Sequence, residues 1–201
     1  MQKEKYFSAK RITGIAVLTA LVVLLQTAFG AIKIGATSFS LVLIPIVLGG
    51  VLYGALAGAF LGFVFGFITL MYGVTGADAF TGILFQNQPL ETAMLCLVKG
   101  TAAGLVAGAL YKEIAKKNEY VAIFVAAAAA PIVNTGLFIV GSLCFLSGTL
   151  TANFVGAGST LIYFLFIGCA GFNFIVEFLI NLIAAPTLYR VIHVLERKIK
   201  K

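Results

Sequence analysis

Long apolar runs separated by short polar ones set the plan of the chain. A hydrocarbon core of ~30 Å takes roughly 20 apolar residues per helix, and the pattern predicts six helices. The first runs from Ile12 to Phe29. A short turn from Gly30 to Ser40 follows and carries Lys33. The apolar stretch from Leu41 to Tyr72 would reach about 50 Å as one helix, at ~1.5 Å per residue. It therefore reads as two helices, the first short, with Gly49-Gly50 and Tyr53-Gly54 offering the break. A polar loop is expected from Gly73 to Glu91. The fourth helix runs from Thr92 to Tyr111, and a charged turn holds Lys112, Glu113, Lys116, Lys117 and Glu119. The fifth runs from Tyr120 to Leu146, an uncharged loop from Ser147 to Ser159 follows, and the sixth runs from Thr160 past Pro186 into a basic tail.

The charges support this count. With the N-terminus inside, the Lys112–Lys117 turn and the tail from Arg190 to Lys201 are also inside, as the positive-inside rule asks. The Gly73–Glu91 loop, with acids and no Lys or Arg, falls outside with the Ser147–Ser159 loop. Lys33 alone lies outside against the rule. Fusing the second and third helices would move the Lys-rich turn outside. Tyr6, Tyr53, Tyr72, Tyr111, Tyr120, Tyr163 and Tyr189 all fall near helix ends, where a ring with one wet edge is well placed. The expected architecture is an all-α integral membrane bundle of six transmembrane helices. It forms one domain over residues 1–201, multi-pass in the plasma membrane, with both termini cytoplasmic.

Composition leads the same way. The chain is 61% hydrophobic and 10% charged, with a mean hydropathy of +1.09. A soluble domain needs more charged surface, so lipid must cover much of this one. The net charge of +7 does not indicate nucleic acid, because the basic residues cluster at the chain ends and in one loop, without an aromatic-interleaved stripe. The N-terminal lysines precede a long apolar stretch with no cleavage site, so the first helix is expected to remain. Gly50, Gly54, Gly58, Gly62 and Gly66 recur every fourth residue, as do Gly100, Gly104 and Gly108. Such ladders line one helix face and let backbones approach closely.

No enzyme is indicated. HExxH, GxSxG and GxxxxGK[ST] are missing from the sequence, so the chain has no P-loop of its own for ATP. Cys96, Cys144 and Cys169 sit apart in apolar stretches with no metal spacing and read as small packing residues. The single histidine, His193, reads as a tail residue near the headgroups. No cofactor or metal is expected.

The polar groups inside apolar helices carry more information. A central charge costs about 2.5–3.5 kcal/mol on insertion scales, so each should face the bundle interior or a cavity. Lys99 lies on the fourth helix, Asn134 and Thr135 on the fifth, and Asn173, Glu177 and Asn181 on the sixth. The last three are spaced by four and share one face. Two readings follow: a pocket that binds a ligand through Lys99, Asn134, Asn173, Glu177 and Asn87, or a buried Lys-Glu pair with Asn side chains acting as interhelical glue. Asn87 and Pro89 are placed to form a lid. Gln26 reads as a residue of the outer interface rather than of a site.

Several stretches resemble the substrate-binding (S) components of energy-coupling factor (ECF) transporters, of the riboflavin/pantothenate type. FSLVLIPIVLGGVLYG (39–54) and AGAFLGFVFG (57–66) are similar to their second and third helices. PIVNTGLF (131–138) and FNFIVEFLIN (172–181) are similar to the fifth and sixth. The resemblance covers nearly the whole chain. It implies a subunit that captures a water-soluble vitamin from outside, with uptake driven by a transmembrane coupling subunit and two ATPases. It also implies that Ala16 and Ala20, an Ala-x-x-x-Ala face on the first helix, dock on the coupling subunit, and that the three outer loops gate the mouth. Riboflavin-type members tend to carry a Lys shortly after the Asn of the Phe-Asn pair, whereas here Glu177 is the nearest charge. That departure puts pantothenate ahead of riboflavin, its carboxylate facing Lys99. A stand-alone carrier or channel, and a non-transporting membrane assembly protein, are the alternatives; the first would favour inverted repeats, and no convincing repeat is seen.

Overall fold

A computed structural model describes residues 9–30, 33–34, 37–38 and 41–199. The expectations for Lys3, Lys5, Tyr6 and the Lys33 side chain lie outside the described residues. The chain forms α1 (Ala9–Phe29), a two-residue antiparallel hairpin of β1 (Lys33–Ile34) and β2 (Thr37–Ser38), α2 (Leu43–Tyr53), α3 (Ala55–Val74), α4 (Ala79–Asn87), α5 (Pro89–Ile114), α6 (Glu119–Phe145) and α7 (Ser147–Phe154). It ends in α8 (Leu161–Tyr163), a π-helical stretch (Phe164–Cys169) and α9 (Gly171–Ile199), which together make one long final helix. The helices α1, α3, α5, α6 and the final helix over Leu161–Val194 are each long and apolar enough to cross a membrane. The fold is a helical membrane bundle.

The predicted break between the second and third helices sits at Gly54, whose φ of 92° lies in the left-handed region that glycine adopts without strain. Two contacts then show which way α2 runs. Arg11 Nη2 on the first turn of α1 donates to the Tyr53 carbonyl at 2.6 Å, and the Tyr53 ring lies against Gly14. The C-terminus of α2 therefore returns to the end of the bundle where α1 begins. At 11 residues, or about 16 Å, α2 is the short member expected. His193 of α9 lies 3.7 Å from Glu119 at the start of α6. The start of α1, the α2–α3 break, the α5–α6 turn and the last turns of α9 thus share one end. Lys10, Arg11, Lys112, Lys116, Lys117 and Arg190 are all at this basic end.

The glycine ladders face each other. A Cβ built on Gly62 would lie 2.0 Å from the Gly100 carbonyl oxygen, one on Gly58 2.4 Å from that of Gly104, and one on Gly66 2.3 Å from that of Cys96. The α3–α5 contact, the most extensive between any two helices, is therefore backbone on backbone, as small-residue interfaces in membranes allow. Apolar side chains fill the rest. One cluster at the basic end joins Val47, Ile123, Ala126, Leu188 and Ile192. A second packs α1 on α2 and α3 through Leu18, Val22, Leu43, Ile46 and Leu61.

The structure corrects the reading of two loops. The stretch 73–91 holds α4 and the start of α5, and 147–159 begins with α7. Both short helices are pinned by a third apolar cluster, in which Phe80 and Leu84 meet Phe138, Leu146, Leu150 and Leu165. The sixth helix is also interrupted by its π-helical stretch. Cys144 is exposed rather than packed, whereas Cys96 and Cys169 are buried.

Candidate ligand cavity

The polar residues of the apolar helices converge on a cavity in the half of the bundle away from the basic end. Its volume is about 90 Å³, well above the ~10–15 Å³ that holds a single water. Each helix contributes for a local reason. In α1, Leu18, Val22 and Gln26 are the buried residues, one turn apart on a single stripe. Gln26 thus ends the inward face, 4% exposed, and its Nε2 reaches Thr69 Oγ1 of α3 at 3.5 Å. The expectation that Gln26 belongs to the interface rather than to a site is corrected: it lines the cavity.

In α5, Gly100 is locked against Gly62, which fixes the rotation of the helix and turns the neighbouring Lys99 into the cavity. The Lys99 ammonium lies 5.2 Å from the centre of the Phe138 ring and 6.0 Å from that of Phe65. Both are within the range over which a ring quadrupole attracts a cation. In α6, Pro131 removes one intrahelical hydrogen bond just before Asn134. Asn134 is 8% exposed, and its Oδ1 has no hydrogen-bond partner among the described residues. A buried amide oxygen left this way is costly. On α9, Asn173 and Glu177 line the cavity with Ala170. Asn181 does not: it lies one turn further on, 1% exposed, with its Nδ2 donating to the Glu177 carbonyl at 2.8 Å.

Asp78 is a cavity residue that the sequence reading passed over. It caps α4: its Oδ2 accepts from the Thr81 amide at 3.1 Å and from the Thr81 hydroxyl at 2.6 Å. The signal was legible, since an Asp directly before an apolar run is a helix-start pattern. Phe80 of α4 and Tyr72 of α3 complete the wall.

Of the expected binding residues, Lys99, Asn134, Asn173 and Glu177 are brought together, with Thr135 beside them. Asn87 is not: it is exposed, and its Nδ2 donates to the Ile83 carbonyl of its own helix at 2.8 Å. Its neighbour Gln88 does the connecting work, donating from Nε2 to the Phe145 carbonyl at 2.9 Å and accepting from Thr149 Oγ1 at 2.7 Å. These bonds tie the α4–α5 junction to α6 and α7. The Phe80 and Phe154 rings meet at a tilt, their centroids 4.9 Å apart. The two short helices thus form a cap over the cavity. On the opposite flank Ala16 and Ala20 are both exposed on α1, amid exposed Val17, Leu21 and Leu24.

A search of the curated proteins returns no match. A family model does match, described as the ECF transporter, substrate-specific component, over residues 10–189. That span runs from the first turn of α1 into α9 and includes every residue of the cavity, and the chain belongs to the family of substrate-specific components of ECF transporters.

Proposed function

We propose that this chain binds a water-soluble vitamin in the cavity, from the outer face of the plasma membrane, for ATP-driven uptake. As a family member it is a substrate-specific membrane subunit of an ECF transporter, and such components pair with ECF membrane and ATPase subunits and bind small substrates. The family is one of transport components rather than enzymes. The observation that carries the vitamin-site reading is the Asn134 Oδ1, buried without a partner in a cavity walled by side chains of both charges.

Lys99, Asn134, Asn173 and Glu177 are the binding residues in this reading, with Lys99 donating to ligand oxygens. Asn87 stays outside the contact set and serves at the mouth, beside the Gln88 bridge. Pantothenate and riboflavin are the two candidate substrates. The basic end faces the cytoplasm by the positive-inside rule, which leaves the α4–α7 cap outside and both termini inside. Ala16 and Ala20 give a flat face on α1 for the coupling subunit, supported by their exposure and one-turn spacing.

Native mass spectrometry of the detergent-purified chain tests the binding role. A carried-over vitamin is the expected result. An empty protein that also ignores a vitamin panel in a thermal-shift screen would overturn it.

A further inference from the structure

The charge balance of the cavity narrows the ligand, and this inference rests on the binding role just proposed. Three acidic or basic side chains stand among the described residues that line it: Lys99, Asp78 and Glu177. The sequence reading weighed only Lys99 and Glu177, a balanced pair. Asp78 changes the balance. It is 8% exposed and Glu177 is 4% exposed, so both carboxyl groups are largely withdrawn from bulk water. Asp78 Oδ2 accepts two hydrogen bonds at the N-terminus of α4, an end of the helix dipole that suits a carboxylate. Lys99 is already attracted to the faces of Phe138 and Phe65. One ammonium stands against two carboxyl groups, and a single carboxylate suffices to offset it. The other polar lining groups, Gln26, Thr69, Tyr72, Asn134, Thr135 and Asn173, are uncharged.

Such a wall holds no surplus positive charge for an anion. An incoming carboxylate would meet Lys99 but would also sit near two acids in a medium that screens poorly. The unpartnered Asn134 Oδ1 asks for a donor, and so do carboxylate oxygens, which only accept. The rings of Phe65, Phe80 and Phe138 supply apolar surface for a flat ligand face. We infer that the ligand carries no net negative charge, presents N–H or O–H donors to Asn134 and the acids, and offers an acceptor to Lys99. This reverses the order expected from the sequence, which put the anionic pantothenate first.

The test is a titration of the purified full-length chain at pH 7 and low ionic strength with pantothenate, riboflavin and thiamine, as anionic, neutral and cationic probes. Mass identification of any molecule carried over from the cells accompanies it. Riboflavin or thiamine is expected to bind more tightly than pantothenate. Glu177→Gln keeps the shape of the side chain and removes one negative charge. It is expected to shift the ratio of affinities toward pantothenate by at least tenfold. Pantothenate as the tightest probe, a carried-over anion, or an unchanged ratio in the variant would each overturn the inference while leaving the binding role intact. If Glu177→Gln does not fold, the order of the three probes on the unaltered chain decides. Binding of none of the probes, with no carried-over molecule, removes the binding role and this inference together.

Discussion

A single methyl group placed between α3 and α5 probes the backbone-on-backbone contact directly. In Gly62→Ala the new Cβ would stand 2.0 Å from the Gly100 carbonyl oxygen and 2.6 Å from its carbon, where ordinary contact begins at 3.4 Å. Backbone cannot rotate aside as a side chain does, so the helices must part by more than an ångström. Gly58 and Gly66, one turn to either side, meet Gly104 and Cys96 at similarly short range, and parting at Gly62 loosens those contacts too. Overpacking of a tight site costs about 1–3 kcal/mol, occasionally more, and three linked contacts place Gly62→Ala at the upper end, about 3 kcal/mol. Gly136→Ala on α6 is the matched control. No atom lies within 4 Å of its Cβ, and Ala is a better helix former than Gly by about 1 kcal/mol. Thermal unfolding in detergent, followed by a thiol-reactive dye on Cys96 and Cys169, compares the two. Gly62→Ala is expected to melt several degrees below the unaltered chain and Gly136→Ala at or above it. Equal melting of the two variants would refute the close-packed interface.

Three further outcomes are expected. Lys99→Ala lowers affinity for the ligand more than tenfold while the protein stays folded; unchanged affinity would remove Lys99 from the binding set. Ala16→Trp and Ala20→Trp leave binding by the isolated chain intact and block uptake in cells that contain the coupling module, because bulk on α1 holds the coupling subunit away; normal uptake by both would end the docking role. Thr149→Val removes the bond to Gln88 and, at about 1 kcal/mol for one hydrogen bond, should speed amide exchange in α7 roughly fivefold. Exchange unchanged in 147–154 would show that the Gln88 bridge does not hold the cap.

Much of this architecture was legible because the bilayer imposes it. The cost of a charge in lipid forced Lys99 and Glu177 inward, and the four-residue spacing put Asn173 on the same face; the cavity unites them. Asn181, on the same face, is likewise buried, one turn away from the cavity. The α2–α3 break was legible at Gly54, since an apolar run too long for one span must turn, and glycine takes the positive φ. The cap was not. Helices α4 and α7 lie in stretches polar enough to read as loops, and what stabilises them is distant in sequence: Phe80 and Leu84 meet Leu146, Leu150 and Leu165 only in the folded bundle. Gln26 was misread because its chemistry suits an interface equally well, and only its register with Leu18 and Val22 reveals the inward stripe. The π-helical stretch before Asn173 had no signal in residue type, because a shift from i−4 to i−5 bonding is set by packing around the helix.

Helix α5 has two faces with opposite tolerance for change. The glycine side is bound to α3 so closely that any added atom displaces backbone, whereas the side bearing Lys99 meets an open space. Lys99 and Gly100 are adjacent residues, so the mould and its variable surface are built into one turn. Substitutions at Lys99 therefore reshape the cavity wall without touching the α3–α5 contact. A bundle arranged in this way can diverge in cargo while its frame stands still.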